Sequence, residues 1–152
     1  MIPIPGYSDY FVVGNDIVSM RRGKYKVLKG NMTSSGHIQV CLFDATGKAK
    51  FKRIHRLLAQ AYLPDYSEDL EVDHIDRCKT NNDISNLRMA THAENQHNTD
   101  AKGYYLDKKH GKWRAQICLN NKRKHIGFYD TEDAARQAYL AKKAELHPFY
   151  AP

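Results

Sequence analysis

The chain has 152 residues, 41% hydrophobic and 27% charged, and 24 Lys and Arg against 17 Asp and Glu give a net charge of +7. That length holds one ordinary domain or two small modules, and the basic balance favours a polyanionic partner. No apolar run approaches the ~18–20 residues that span a bilayer, the start Met1-Ile2-Pro3-Ile4-Pro5-Gly6 lacks the regions of a secretory signal, and three scattered cysteines, Cys41, Cys78 and Cys118, form neither a disulfide framework nor a zinc clip, so a reducing cytoplasm is the expected setting.

The first fifty residues read as short strands. Tyr10–Val13 and Ile17–Met20 flank a Gly14-Asn15-Asp16 turn. His37–Leu42 alternates with period two, which puts Ile38, Val40 and Leu42 on one face. Lys50-Phe51-Lys52 starts the return after a turn at Ala45-Thr46-Gly47. A helix is expected from Arg53 to Tyr62, with Ile54, Leu57, Leu58, Ala61 and Tyr62 as its apolar stripe and Pro64 as its stop. Leu70–His74 is an extended run, and a polar loop follows from Asp76 to Asp83. Asn86–Arg88 returns as a second strand. Thr91-His92-Ala93-Glu94 is a capping box that starts a helix reaching about Asn98.

Residues 99–103 read as a linker between a first domain at 1–98 and a second at 104–152. In the second, Tyr104-Tyr105 opens a strand. Lys112–Leu119 places Trp113, Ala115, Ile117 and Leu119 on one face, and Arg114, Gln116 and Cys118 on the other. Asn120-Asn121 suits a hairpin turn, because Asn tolerates positive φ. The return strand is expected to turn Ile126 and Phe128 inward and Arg123 and His125 outward. Asp130 or Thr131 caps a helix through Leu146, with Ala134, Ala135, Ala138 and Ala141 as a small-residue face. Charge is segregated along the chain: net +7 over residues 1–56, −6 over 57–101 and +6 over 102–152. An acidic middle between basic flanks suits a cation site between surfaces that grip a polyanion.

The acidic middle carries the chemistry. Asp73 and His74 adjoin at the end of a strand, and the capping box puts Asn95 in the first turn of its helix. If the hairpin folds back on that helix, the three converge. A carboxylate and an amide oxygen are hard donors for Mg²⁺ or Mn²⁺, and His74 is left free as a general base. This set fits metal-assisted phosphodiester hydrolysis. Val72-Asp73-His74-Ile75-Asp76, Thr80-Asn81-Asn82, Ile84-Ser85-Asn86-Leu87-Arg88 and Glu94-Asn95 resemble the motif of HNH endonucleases, in the His-Asn-Asn variant of phage and intron homing nucleases. His55-Arg56-Leu57-Leu58-Ala59-Gln60-Ala61-Tyr62 resembles the helix before that motif. The resemblance spans about residues 5–100. It implies an α+β fold with a ββα-metal core at about 53–98 behind N-terminal antiparallel strands at 1–52. It makes His74 the base and Asp73 and Asn95 the ligands of one divalent ion, with Asn86 bonding across the loop to orient the base. His55 is expected at a phosphate, at the site or packed in the core. Arg88 is expected at a phosphate or in a salt bridge, and Asp76 beside the site or as a turn residue.

The tail reads as a sheet with one apolar and one cationic face, covered by a helix. Lys102, Tyr105, Lys112, Arg114, Gln116, Lys122, Arg123 and His125 are the candidate DNA contacts, since Arg pairs with guanine, Gln with adenine and lysines with phosphates. Lys102-Gly103-Tyr104, Gly111-Lys112-Trp113-Arg114-Ala115-Gln116-Ile117, Ile126-Gly127-Phe128-Tyr129 and Thr131-Glu132-Asp133-Ala134-Ala135 resemble the ethylene-response-factor (Apetala-type) DNA-binding domain, over residues 102–147. That resemblance implies a three-stranded antiparallel sheet plus one helix. Cys118 and His125 depart from it, so no base preference carries over. The combined expectation is a phage-encoded homing endonuclease that acts as a monomer on duplex DNA and nicks one strand per active site. The alternatives are a DNA-binding regulator whose nuclease core has lost activity, or a nuclease for RNA or for any DNA.

Overall fold

The period-two alternation of the first half folds into antiparallel ribbons. In a computed structural model describing residues 1–152, β1 (Ile2–Ile4), β2 (Tyr7–Val13), β3 (Asp16–Ser19) and β4 (Lys26–Val27) form a four-stranded sheet in that order. β5 (Asn31–Met32), β6 (Ile38–Phe43) and β7 (Ala49–Arg53) form a second sheet. α1 (Ile54–Tyr62) follows, then the hairpin β8 (Glu71–His74) and β9 (Leu87–Ala90), with a 3-10 turn at Ile84–Asn86 before β9. Strands β1, β4 and β5 are additions to the sequence expectation. They are two or three residues long, too short to show a period.

Ile17, Leu42, Leu58, Val12, Val18 and Val40 are the largest fully buried side chains here, so both sheets and α1 share a core. Leu57, Leu58 and Ala59 bury the inner face of α1, and Val72, Leu87 and Met89 extend the core to the hairpin. The chain is tight at Gly30, whose φ of +71° suits glycine and where a Cβ would meet the Gln39 carbonyl oxygen at 2.6 Å.

The second compact unit comprises His92–Pro152, and the first Met1–Thr91. α2 (His92–His97) therefore groups with the tail, whereas the sequence expectation put a boundary after residue 98. Residues 99–103 are no free linker within this unit. Lys143 Nζ donates to the Thr99 carbonyl, Tyr139 Oη to the Ala101 carbonyl at 2.9 Å, and the Gln116 amide to the Gly103 carbonyl at 2.7 Å. Gly103 passes so close to the Tyr139 ring that a Cβ there would collide with it.

β10 (Tyr104–Asp107), β11 (Lys112–Leu119) and β12 (Lys122–Tyr129) form an antiparallel sheet, and α3 (Glu132–Leu146) packs on it. Asn120 and Asn121 hold φ of 49° and 60° in the tight turn. The Thr131 hydroxyl caps α3 by accepting from the Ala134 amide at 3.2 Å. Two expectations need correction. A β-bulge at Ala115/Gln116 pairs Ala115 with Gly127 but Gln116 with His125, so Phe128 lies opposite Arg114 on the outer face and is 40% exposed. On α3 the buried stripe is Ala135, Tyr139 and Lys143, a four-residue period that leaves Ala134 and Ala141 exposed.

Candidate active site

Hairpin β8–β9 sets Asp73 and His74 side by side at the end of a strand, with both side chains buried: Asp73 is 5% and His74 4% exposed. Successive strand residues point to opposite faces, so each has its own surroundings. Arg88 lies opposite Asp73 in the ladder. Its Nε and Nη2 both donate to Asp73 Oδ2, at 2.8 and 2.7 Å. Arg88 is thus engaged by a carboxylate, the second of the two placements open to it from sequence.

His74 Nε2 is 3.1 Å from Asn82 Oδ1. With Nε2–H donating to that oxygen, the lone pair of the imidazole sits on Nδ1. Asn82 belongs to the Thr80-Asn81-Asn82 run, and sequence reasoning assigned it no role. The turn between β8 and the loop is made by Arg77, with φ of 64° and its amide donating to the His74 carbonyl at 2.9 Å.

Asn86 is buried and spans the loop. Its Oδ1 accepts from the Asp76 amide at 3.0 Å, and its Nδ2 donates to Asp76 Oδ1 at 2.8 Å and to the Asn81 carbonyl at 2.9 Å. Asn81 Nδ2 donates to the other Asp76 oxygen at 2.7 Å. These donors, Asn81 foremost, hold the Asp76 carboxyl below the usual range. The N-terminal strands brace the same loop: Asn15 Nδ2 donates to Asp83 Oδ2 at 3.1 Å, and Lys79 Nζ to the Ser35 carbonyl at 3.0 Å.

Of the placements open to His55 from sequence, the structure shows the packed one. It is 3% exposed, packed edge-on against His74 with ring centres 5.1 Å apart and against His37 at 4.7 Å. Its Nδ1 is buried with no hydrogen-bond partner. Burial, then the neighbouring His74 and His37, push His55 down to about 3; burial and Arg53 push His37 down to about 4. Both imidazoles are therefore neutral near pH 7.

Asn95 lies on α2, in the second unit. Asp73 and Asn95 offer one carboxylate and one amide oxygen. No group of three His, Cys, Asp or Glu gathers into a metal cage. Each of the Asp73 and Asn95 oxygens is by itself a hard donor, of the chemistry that Mg²⁺ or Mn²⁺ takes.

On the tail sheet, the register sets Tyr105, Arg114 and Phe128 abreast, Gln116 beside His125, and Cys118 beside Arg123. Tyr105, Lys102, Lys112, Lys122, Arg123 and His125 are exposed, and Arg114 and Gln116 half-buried. Phe128, expected in the core, stands at the middle of this face between His110 and His125, each 4.9 Å away by ring centres, with the Arg114 guanidinium 5.9 Å from its ring. Lys112 faces the Asp130 carboxylate at 3.2 Å.

Residues 52–97 match the HNH endonuclease family. The chain is 36% identical over 102 residues to DNA endonuclease I-HmuI of Bacillus phage SP01, covering 66% of this chain and 57% of that protein. It is 34% identical over 90 residues to H-N-H endonuclease F-TflII of Escherichia phage T5, covering 58% of this chain and 46% of that one. The chain thus spans about half the length of these curated relatives. Its fold aligns with the solved structure of the HNH homing endonuclease I-HmuI, described as showing DNA binding and cleavage, at a TM-score of 0.58 and 28% identity over 93% of this chain and 84% of that one. The α+β chain therefore carries an HNH endonuclease domain, at residues 52–97, within a fold shared with a phage homing endonuclease.

Proposed function

We propose that this chain is a divalent-metal-dependent endonuclease that hydrolyses a phosphodiester in duplex DNA. The observation that carries the reading is the pairing on β8: a buried imidazole anchored through Nε2 to Asn82, next to a buried carboxylate anchored by Arg88. An anchored Nε2–H leaves Nδ1 to take a proton from water. The resulting hydroxide attacks phosphorus, the P–O3′ bond breaks, and the 3′ oxygen leaves with a proton from solvent. Asn86 acts through the loop: its three hydrogen bonds fix Asp76 and Asn81, and so the segment that carries Asn82. Asp73 and Asn95 would hold the cation, whose chemistry is to stabilise charge on the phosphate and the leaving oxygen.

The tail supplies duplex binding. The Tyr105–Arg114–Phe128 row and the Gln116–His125 pair are the candidate base-reading positions, with Lys102, Lys122 and Arg123 on phosphates. The three-stranded sheet packed on one helix supports the ethylene-response-factor likeness. One active site per chain gives a nick as the first product. The phage relatives favour a phage-encoded enzyme acting in a bacterial cytoplasm; the chain is read as a monomer on DNA.

Supercoiled plasmid incubated with Mg²⁺, with Mn²⁺ or with EDTA tests this. The expected result is open-circular product with either metal, none in EDTA and none from His74→Ala, whose duplex affinity stays within a few-fold of the parent. Tight binding with no cut under any metal would instead mark a DNA-binding regulator, and preferential cutting of RNA a different substrate.

A further inference from the structure

The helix that bears Asn95 is six residues long, too short to hold its shape alone. Within the second unit it is held from the far end of α3. The His97 ring lies face to face with that of His147, centres 4.2 Å apart and planes 10° from parallel. His147 is 7% exposed and is itself fixed, its Nε2 lying 3.0 Å from the Cys118 carbonyl oxygen at the end of β11. One turn earlier on α3, buried Lys143 donates to the Thr99 carbonyl just beyond α2, and lies over the Tyr150 ring at 4.4 Å. Tyr139, a turn earlier again, donates to the Ala101 carbonyl. A single stripe of α3 thus grips three successive points: α2, Thr99 and Ala101.

The stack is not the arrangement stability alone would favour. Nδ1 of His97 and Nδ1 of His147 are both buried without a hydrogen-bond partner, and an unmade bond of that kind is destabilising. Two flat rings held at one angle define the rotation of α2 about its axis, and so the direction in which Asn95, two residues before His97, projects.

We propose that His147, with Lys143, is a positioning residue for Asn95, so that the DNA-reading sheet and one of the two metal donors are built on the same scaffold. This rests on the reading of Asn95 as a ligand. It assigns the tail a part in the cleavage step itself, beyond tethering the enzyme to its duplex.

The test uses the full chain. In metal-free protein, His147→Ala should speed backbone amide exchange at residues 92–98 by about tenfold while β10–β12 keep their protection. The Mg²⁺ concentration that half-saturates cleavage should rise about tenfold, and duplex affinity in EDTA should change less than about twofold. His147→Phe keeps a flat ring at the stack and should restore most of both effects. Unchanged exchange at 92–98 overturns the proposal, as does a loss of cleavage that only follows loss of DNA binding. Asn95→Ala run in parallel separates the layers. A half-saturation unmoved in Asn95→Ala brings down the ligand reading and this proposal with it. One raised in Asn95→Ala but unmoved in His147→Ala overturns this proposal alone. Should His147→Ala prove unfolded by circular dichroism, Lys143→Met, which removes the Thr99 bond and keeps the aliphatic stem, carries the same expectations.

Discussion

The His74 ring is oriented by a side-chain bond from Nε2 to Asn82 Oδ1 at 3.1 Å. Loss of that acceptor removes the bond that directs Nε2 toward the loop and so weakens the choice between the two ring nitrogens. Asn82→Ala should therefore lower single-turnover cleavage by about tenfold to a hundredfold, the cost of misplacing a reacting group by roughly 1 Å, with duplex affinity unchanged. Equal rates in parent and variant would remove Asn82 from the site. The neutral neighbours of His74 give a second expectation. His55 titrates near 6.5 when unfolded and about 3 when folded, and His37 about 4. Between those values the unfolded chain binds more protons, so stability falls as pH drops from about 6.5 towards 4. The His55 share is up to about 1.4 kcal/mol per pH unit. Urea unfolding at pH 7, 6 and 5 should show the decline, and His55→Leu should flatten it; an equal slope in that variant would locate the acid sensitivity elsewhere. Residue type and spacing in the sequence pointed to Asp73, His74 and Asn86. They could not separate Asn82 from its neighbours, because its role is set by a loop closure. Nor could they decide between the core and the site for His55, because that depends on which turn of α1 meets β8.

At the scale of elements, the loop between β8 and β9 is polar from Asp76 to Asp83 apart from Cys78, and polar bonds that converge on Asn86 and Asp76 shape it. Asn86→Ala leaves the Asp76 amide, one Asp76 oxygen and the Asn81 carbonyl without this partner. At about 0.5–1.5 kcal/mol for each bond, the loss is about 2–4 kcal/mol of stability, and cleavage should fall with the loss of loop order. Denaturant unfolding of the parent and variant checks it; a change under about 0.5 kcal/mol would mean the loop holds its shape by other means. Elements with many residues in one period were readable beforehand: β6, α1, β11, β12 and α3 lie within a residue or two of the alternation or caps that announce them. The misread positions share one cause. The extra residue at the β11–β12 bulge reverses the phase of Phe128, and no local feature of Lys122–Tyr129 marks it. Likewise Ala134, Ala135, Ala138 and Ala141 suggested a small-residue face on α3. The stripe actually buried follows Tyr139 and Lys143, which reach the segment before β10.

For the whole molecule, the governing feature is the segregation of charge along the chain, with +7 and +6 at the flanks and −6 between them. DNA binding by such a chain should be driven largely by release of counterions, with log K falling linearly in log salt at about 0.9 per phosphate contacted. The tail lysines separate this term from base reading. Lys122 and Lys124 flank Arg123 and are exposed on β12. Lys112 is partly neutralised by Asp130 at 3.2 Å. Lys122→Ala should then reduce the salt slope by about 1 and weaken all duplexes alike, whereas Lys112→Ala should change it less. Arg114, half-buried in the middle of the outer row, should behave differently. Arg114→Ala should cost about 1–3 kcal/mol on a preferred site and relax the choice of sequence there, with the loss on unrelated duplexes confined to the electrostatic part. Titrations of each variant against a cleaved fragment and a scrambled duplex, at several salt concentrations, give both quantities. If Arg114→Ala weakens the two duplexes equally while reducing the salt slope by about 1, Arg114 is a phosphate contact, and base reading must come from the Gln116–His125 pair or the exposed rings of Tyr105 and Phe128.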